Sequence, residues 1–363
     1  MDTSMRLLGL IGFIFPLVLF GVATLPAPHE KYKEKDLFFS LDFLYWESIE
    51  RGLDYALKNQ NNQSNQQLSL YEPHFQWEPA FRLQVGTHLP QDDWDLSCTY
   101  TYFQTKSDNT AQHLFNTSGT PGPGLLAVWI CPTAFAGNGV GVRFEQATAD
   151  WKLRAQILDC GLSREFCVSP ALSLEPGFGG RIAWIHQHYD LLYSLGNTIA
   201  SALGSLSTVL SSELQMLNFS NNFGPFFSCA SRFRCGGGWD LFGTLSGAVL
   251  ASRFHVERKE SDFYTNTSSG LQQEYIRLKN NYWIFSPQGA LALGVRFGKC
   301  VSLAQQMLYY SLSASYETQI FWKQNQLLQY IDSFQSTTWT ASVVPTQGDL
   351  FLHGLTFNFA LDF

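Results

Sequence analysis

Histidines, cysteines and a glycine run are the residues in this sequence whose types could carry chemistry. His186 and His188 stand two apart, with His255 and Asp262 further along. Two imidazoles and a C-x6-C spacing, Cys160 to Cys167, do not supply the close four-ligand set that zinc needs, so no metal is expected. Gly236, Gly237 and Gly238 lead into a strand-like run rather than a helix, which makes them a tight turn and not a phosphate cradle. Neither G-x-S-x-G nor H-E-x-x-H occurs. The expectation is a protein without catalytic residues or cofactor.

Other properties must therefore point to the function. Only 15% of the 363 residues are charged, while aromatics also reach 15%, with 30 Phe and 10 Trp. A typical soluble domain is about one quarter charged. Mean hydropathy is nevertheless -0.07, and past the N-terminus no run of about 20 apolar residues offers a membrane helix. Apolar and polar residues must interleave. A net charge of -7 gives no basic face for nucleic acid. Arg6 followed by the apolar stretch from Leu7 to Ala23 reads as a secretory signal peptide, assigned to 1–27, with 28–363 as the mature chain.

The interleaving has a period of two, the mark of a strand with two unlike faces. Ala147, Ala149, Trp151, Leu153, Ala155 and Ile157 alternate with Thr148, Asp150, Lys152, Arg154 and Gln156. Similar runs give ten strands: 37–45, 81–89, 96–102, 147–157, 172–184, 223–233, 239–249, 291–297, 308–322 and 355–363. Their connections alternate between short links and long polar stretches at 58–70, 106–140, 187–220, 257–282 and 324–348. Short turns thus share one end and long loops the other, as in a transmembrane, antiparallel, up-and-down β-barrel with an even strand count. A soluble sandwich would not force that alternation.

In hydrocarbon an unpaired backbone polar group costs several kcal/mol, so such a sheet must close. The apolar parity is then expected to face lipid and the polar parity the lumen. That assigns Asp42, Arg82, Asp95, Asp150, Lys152, Arg154, Glu175, Arg181, Arg232, Arg234, Asp240, Arg296 and Glu317 to the interior. Ten strands leave a narrow lumen, so these charges should pair. Leu192, Leu195, Ile199, Leu203, Leu206, Leu210, Leu214 and Leu217 recur at spacings of three and four, which predicts a helix in one long loop.

The runs DFLYWESIERGLDYA (42–56), WEPAFR (77–82), LPQDDWDLSCTYTYF (89–103) and GPFFSCASRFRCGGGWDLFGTLSGAVL (224–250) resemble the major-outer-membrane-protein-like family of legionellae and environmental chlamydiae. The resemblance implies a pore-forming protein of the bacterial outer membrane, in contact with lipid, passing small hydrophilic solutes and supporting the envelope. A non-conducting surface adhesin or scaffold is the alternative, and a protease using rim residues such as His186, His255 and Asp262 is a further one. Seven cysteines suit an oxidising compartment. Cys160, Cys167, Cys235 and Cys300 fall at the short-turn end, where disulfides to other envelope proteins or to further copies are expected, with free thiols and one local Cys160–Cys167 bridge as the simpler option.

Overall fold

In the computed structural model the described residues are 37–59, 68–89, 93–113, 124–130, 143–195, 208–266, 270–303, 306–335 and 338–362. The expected signal peptide, Cys131 and residues 196–207 lie outside them. In chain order the strands are β1 (Leu37–Glu50), β2 (Ala56–Asn59), β3 (Leu68–Tyr71), β4 (Trp77–His88), β5 (Trp94–Gln112), β6 (Leu125–Ala127), β7 (Arg143–Phe144), β8 (Gln146–Arg164) and β9 (Phe166–Cys167). They continue as β10 (Leu172–Ser194), β11 (Thr208–Gly236), β12 (Trp239–Asn266), β13 (Gly270–Leu303), β14 (Gln306–Asn325), β15 (Leu328–Gln335), β16 (Thr338–Pro345) and β17 (Gly348–Asp362).

Ten of these, β1, β4, β5, β8, β10, β11, β12, β13, β14 and β17, each pair antiparallel with the next, and β17 pairs with β1, so the sheet closes into a barrel. Closure leaves the barrel no free edge, which is what permits strands in hydrocarbon. The short turns gather at one end: Leu89 N donates to Trp94 O at 2.7 Å, and Gly237 and Gly238, with φ of +65° and +86°, turn β11 into β12. Those left-handed angles cost glycine nothing and would strain any residue with a Cβ.

Alternation sorts the side chains as the period of two requires. Along β1, Leu41, Phe43 and Tyr45 are exposed on the outer wall while Ser40, Asp42, Leu44 and Trp46 are buried inside. Phe81, Leu96, Ile182, Phe227, Leu245, Leu293, Leu312 and Phe357 continue the apolar outer belt around the barrel. The terminal strand contributes Leu355, Phe357 and Phe359 to the belt and Thr356 and Asn358 to the interior.

Two expectations are corrected. The leucine-rich stretch is not helical where it is described: Leu192 lies in β10, and Leu210, Leu214 and Leu217 lie in β11. There the inward residues, Leu191, Tyr193, Leu214 and Met216, are buried in the barrel, and pairing from Leu172↔Phe233 to Ser194↔Ser211 wins over helical spacing. The long connections are likewise largely strand, since β5, β8 and β10 to β13 run well beyond the apolar belt on the side opposite the short turns. Short strands from the loops form a sheet in the order β3-β2-β6-β7, and β15 pairs with β16.

Candidate functional site

The barrel interior divides into three levels. At mid-height, neighbouring and facing strands place charges of opposite sign together. Arg82 on β4 donates to Asp42 of β1 at 3.2 Å and to both carboxylate oxygens of Glu317 on β14, at 3.1 and 2.8 Å. Its Nε donates to Thr101 at 3.1 Å, and its guanidinium lies 5.4 Å from the Trp46 ring centre. Trp46 and Gln319 donate to the same cluster through Thr356 and Glu317. On the other side, Arg181 of β10 grips Asp159 of β8 with bonds of 2.5 and 2.6 Å, also donates to Gln288 of β13, and stacks 4.4 Å from Phe226. Paired, fork-like arginine contacts of this kind are directional and charge-assisted.

Towards the short turns the lining stays polar and, apart from the buried Asp95, half-buried. Glu175 accepts from Ser163 at 2.8 Å. Arg232 and Arg234 approach Glu165 at 3.5 and 3.9 Å. Asp240 stands opposite Arg296 in register, and Asp95 meets His88 at 2.5 Å.

The level beyond the charge clusters is apolar and filled. Trp46, Phe103, Trp151, Tyr189 and Phe321 project inwards and are at most 1% exposed. Between them the loops fold in: Leu53, Tyr55, Leu125, Trp129 and Leu327 join the same core. Wall side chains hold the loop backbones. Tyr189 and Tyr193 donate to the carbonyls of Leu53 and Tyr55 at 2.6 and 2.7 Å, and Asn218 donates to that of Gln324 at 2.9 Å. Arg258 on β12 donates to the carbonyls of Leu328, at 2.9 Å, and of Trp129, and pairs with Glu260 at 2.6 Å. Buried carbonyls need such partners, so the wall and the plug are complementary.

Of the residues assigned to the lumen from sequence, Asp42, Arg82, Asp95, Glu175, Arg181, Arg232, Arg234, Asp240, Arg296 and Glu317 sit on the inward parity. Asp150, Lys152 and Arg154 do not. They are on the outer wall of β8, while Ala147, Ala149, Trp151, Leu153, Ala155 and Ile157 point into the plug core. The reason is height: this half of β8 lies past the apolar belt, where water is outside and packed loops are inside, so the apolar face is reversed. Asp159, Gln288, Arg258 and Glu260 were not singled out from sequence. The adjacent apolar pair Ile157-Leu158 was the available signal, because it marks where the greasy face changes sides and puts Asp159 inwards.

The cysteines also differ from expectation. Cys160 bonds to Cys98, its direct cross-strand partner on β5, with a Cα–Cα distance of 4.2 Å. Cys167 is therefore not its partner, and Cys167, Cys229, Cys235 and Cys300 are free, the first three exposed. Register favours the pair because neighbouring strands hold opposed Cβ atoms at bridging distance. His186 and His255 flank Phe219 on the outer wall, whereas Asp262 is buried on the inner one, so these three do not converge. Among the described residues no group of three potential metal ligands forms.

Asp262 adds a pH dependence to the plug end of β12. Burial, then the neighbouring Glu260 carboxylate, push its pKa from 3.8 up to about 7, with Glu274 adding and Ser212 and Arg258 opposing. A raised acid binds its proton more tightly in the packed state. The packed arrangement around Asp262 is then fully supported below about pH 4, weakens as pH rises, and has lost this contribution above pH 7. The loops are expected to be cut by protease several-fold faster at pH 8 than at pH 5.5, and Asp262→Asn to flatten that ratio. An unchanged ratio in the variant would refute the assignment.

A closed up-and-down barrel belted by exposed apolar side chains, with charges only inside or beyond the belt, defines a transmembrane outer-membrane protein. Over residues 25–363 the chain matches the family described as Legionella pneumophila major outer membrane protein precursor, and it belongs to that family. No curated protein matches it. Solved structures similar to it include the outer membrane protease OmpT from Escherichia coli, 9% identical over 90% of this chain and 96% of that one, with a TM-score of 0.38. The P. putida toluene transporter TodX is 8% identical over 90% and 89%, at 0.28, and the transport unit of the E. coli autotransporter AIDA-I 8% over 93% and 93%, at 0.28. At such TM-scores these likenesses carry no functional argument.

Proposed function

We propose that this outer-membrane barrel is a pore for small hydrophilic solutes, closed in the described conformation by its own inward-folded loops, and that it is not an enzyme. One observation carries the reading: below the plug the lumen is lined by half-buried charges of both signs, among them Arg232, Arg234, Glu165, Glu175, Asp240 and Arg296. A barrel with a purely mechanical role gains nothing from a polar lining that water must fill. The plug is held by apolar packing against the wall and by side chain to backbone hydrogen bonds, the latter each worth about 1 kcal/mol net. None of these contacts belongs to the strand pairing that closes the wall, so displacing the plug is a conformational step rather than unfolding of the barrel. Reconstitution of the mature protein in planar bilayers is expected to give infrequent stepwise conductance. Complete silence over the whole pH range from 5 to 8 would instead support a scaffold, a reading that the densely packed outer half favours.

The exposed Cys167 and Cys235 near the short turns support covalent attachment to neighbouring envelope proteins or to further copies. Non-reducing electrophoresis of isolated envelopes is expected to show higher species that Cys167→Ser with Cys235→Ser abolishes; monomer alone in the wild type would end that proposal.

A further inference from the structure

The outer wall of β5, β8 and β10 carries an arrangement that neither the lumen nor the plug uses. Reading across the sheet by register, Tyr102 and Trp184 flank Gln156 and close the apolar belt. One outward position further along each strand, Arg154 stands between Gln104 and His186, and one further still Lys106 faces Lys152, which faces His188. Acidic side chains begin only in the next row, with Asp108, Asp150 and Asp190. The cations therefore form a layer immediately above the hydrocarbon, beneath an acidic layer. Such a layer is not a by-product of composition, because the chain as a whole is at -7.

Two of these cations lack counter-charges among the described residues. Among the described residues Lys106 and Arg154 have no acidic partner, and Lys152, which reaches Asp150 at 3.0 Å, is aligned directly against Lys106 on the adjacent strand. Like charges directly opposite on one face of a sheet are destabilising, and an anion between them removes the penalty. The anion must come from the membrane side, since the layer borders the belt on which acyl chains lie. Successive outward positions are about 7 Å apart along a strand, which sets the cations at headgroup height above the aromatic rim.

We propose that this wall binds the phosphorylated glycolipid of the outer leaflet, lipid A, with its acyl chains on the belt below and its phosphates between Lys106, Lys152 and Arg154. Phosphate suits this set because lysine and arginine both bind it, arginine through two parallel bonds. The test uses the full mature protein in neutral detergent micelles, titrated with bis-phosphorylated lipid A and with the same lipid stripped of phosphate. The phosphorylated form is expected to bind at least tenfold more tightly. The triple variant Lys106→Gln, Lys152→Gln, Arg154→Gln is expected to lose that tenfold preference, while Lys259→Gln with Arg277→Gln, one row further out on β12 and β13, keeps it within twofold. Should the triple variant fail to fold by its unboiled electrophoretic mobility, Arg154→Gln alone is expected to weaken binding about threefold. Equal affinity for both lipids, undiminished binding by the triple variant or by Arg154→Gln, or displacement of lipid A by equimolar sodium phosphate would each overturn the proposal.

Discussion

Replacing Arg258 with alanine is expected to convert the barrel from one that opens rarely into one that conducts for much of the time. Arg258 is 1% exposed and ties three things together: the Leu328 carbonyl of one loop, the Trp129 carbonyl of another, and the Glu260 carboxylate on its own strand. Truncation removes charge-assisted bonds from two plug segments and takes a cation away from the buried Glu260, which stands beside Asp262 inside the wall. Breaking a buried ion pair from one side costs about 3–5 kcal/mol. Water entering as the loops lift would rehydrate both carboxylates, so the open state escapes most of that cost. A shift of about 3 kcal/mol between two states changes their ratio more than a hundredfold. Single-channel recording should accordingly show open probability raised at least tenfold, with the conductance step itself unchanged. If folded Arg258→Ala protein records like the wild type, the plug is not what closes the lumen.

Within the apolar belt, the sequence was legible because each strand there has one environment per face. Leu355, Phe357 and Phe359 against Thr356 and Asn358 need no structure to interpret, and the same holds for Arg82, Arg181 and Glu317, whose outward burial in lipid would be prohibitive. Beyond the belt the two environments exchange places. Trp151 and Leu153 look like lipid-facing residues and are plug core, while Lys152 and Arg154 look like lumen residues and meet water outside. Alternation reports that two faces differ, not which is which, and the exchange is marked only by apolar neighbours such as Ile157-Leu158, Ile182-Ala183 and Val249-Leu250. The same exchange hid the strand extensions, because a stretch with charges outside and apolar loops inside resembles neither a lipid-facing strand nor a typical loop. Leucines 192 to 217 read as a helix for a related reason: inward Leu214 and outward Leu192 and Leu217 belong to two strands, and the spacing of three and four crosses both faces. What pairing alone could reveal, Cys98 with Cys160 or Arg181 with Asp159, is long-range information that no local pattern contains.

The mid-height charge cluster makes the second large prediction, and it concerns the wall rather than the plug. Arg82 is the only cation contacting Asp42 and Glu317 among the described residues, and these carboxylates are 6% and 7% exposed. Removing its side chain leaves two nearby buried acids, one of them hydrogen-bonded to Asn358 and the other to Gln319 and Thr356. Neutral donors replace only part of the lost interaction. Arg82→Ala is expected to lower barrel stability in micelles by about 3–5 kcal/mol, read as loss of the compact, unboiled electrophoretic form at a lower urea concentration. The origin of the loss can be separated from simple packing. If it comes from uncompensated charge, adding Glu317→Gln should restore at least half, because a neutral amide keeps the shape and removes one buried negative charge; if it comes from the cavity, the second substitution restores nothing. Arg82→Ala within about 1 kcal/mol of the wild type, the range of an exposed pair, would mean that water already screens the cluster and that the lumen at this level is open.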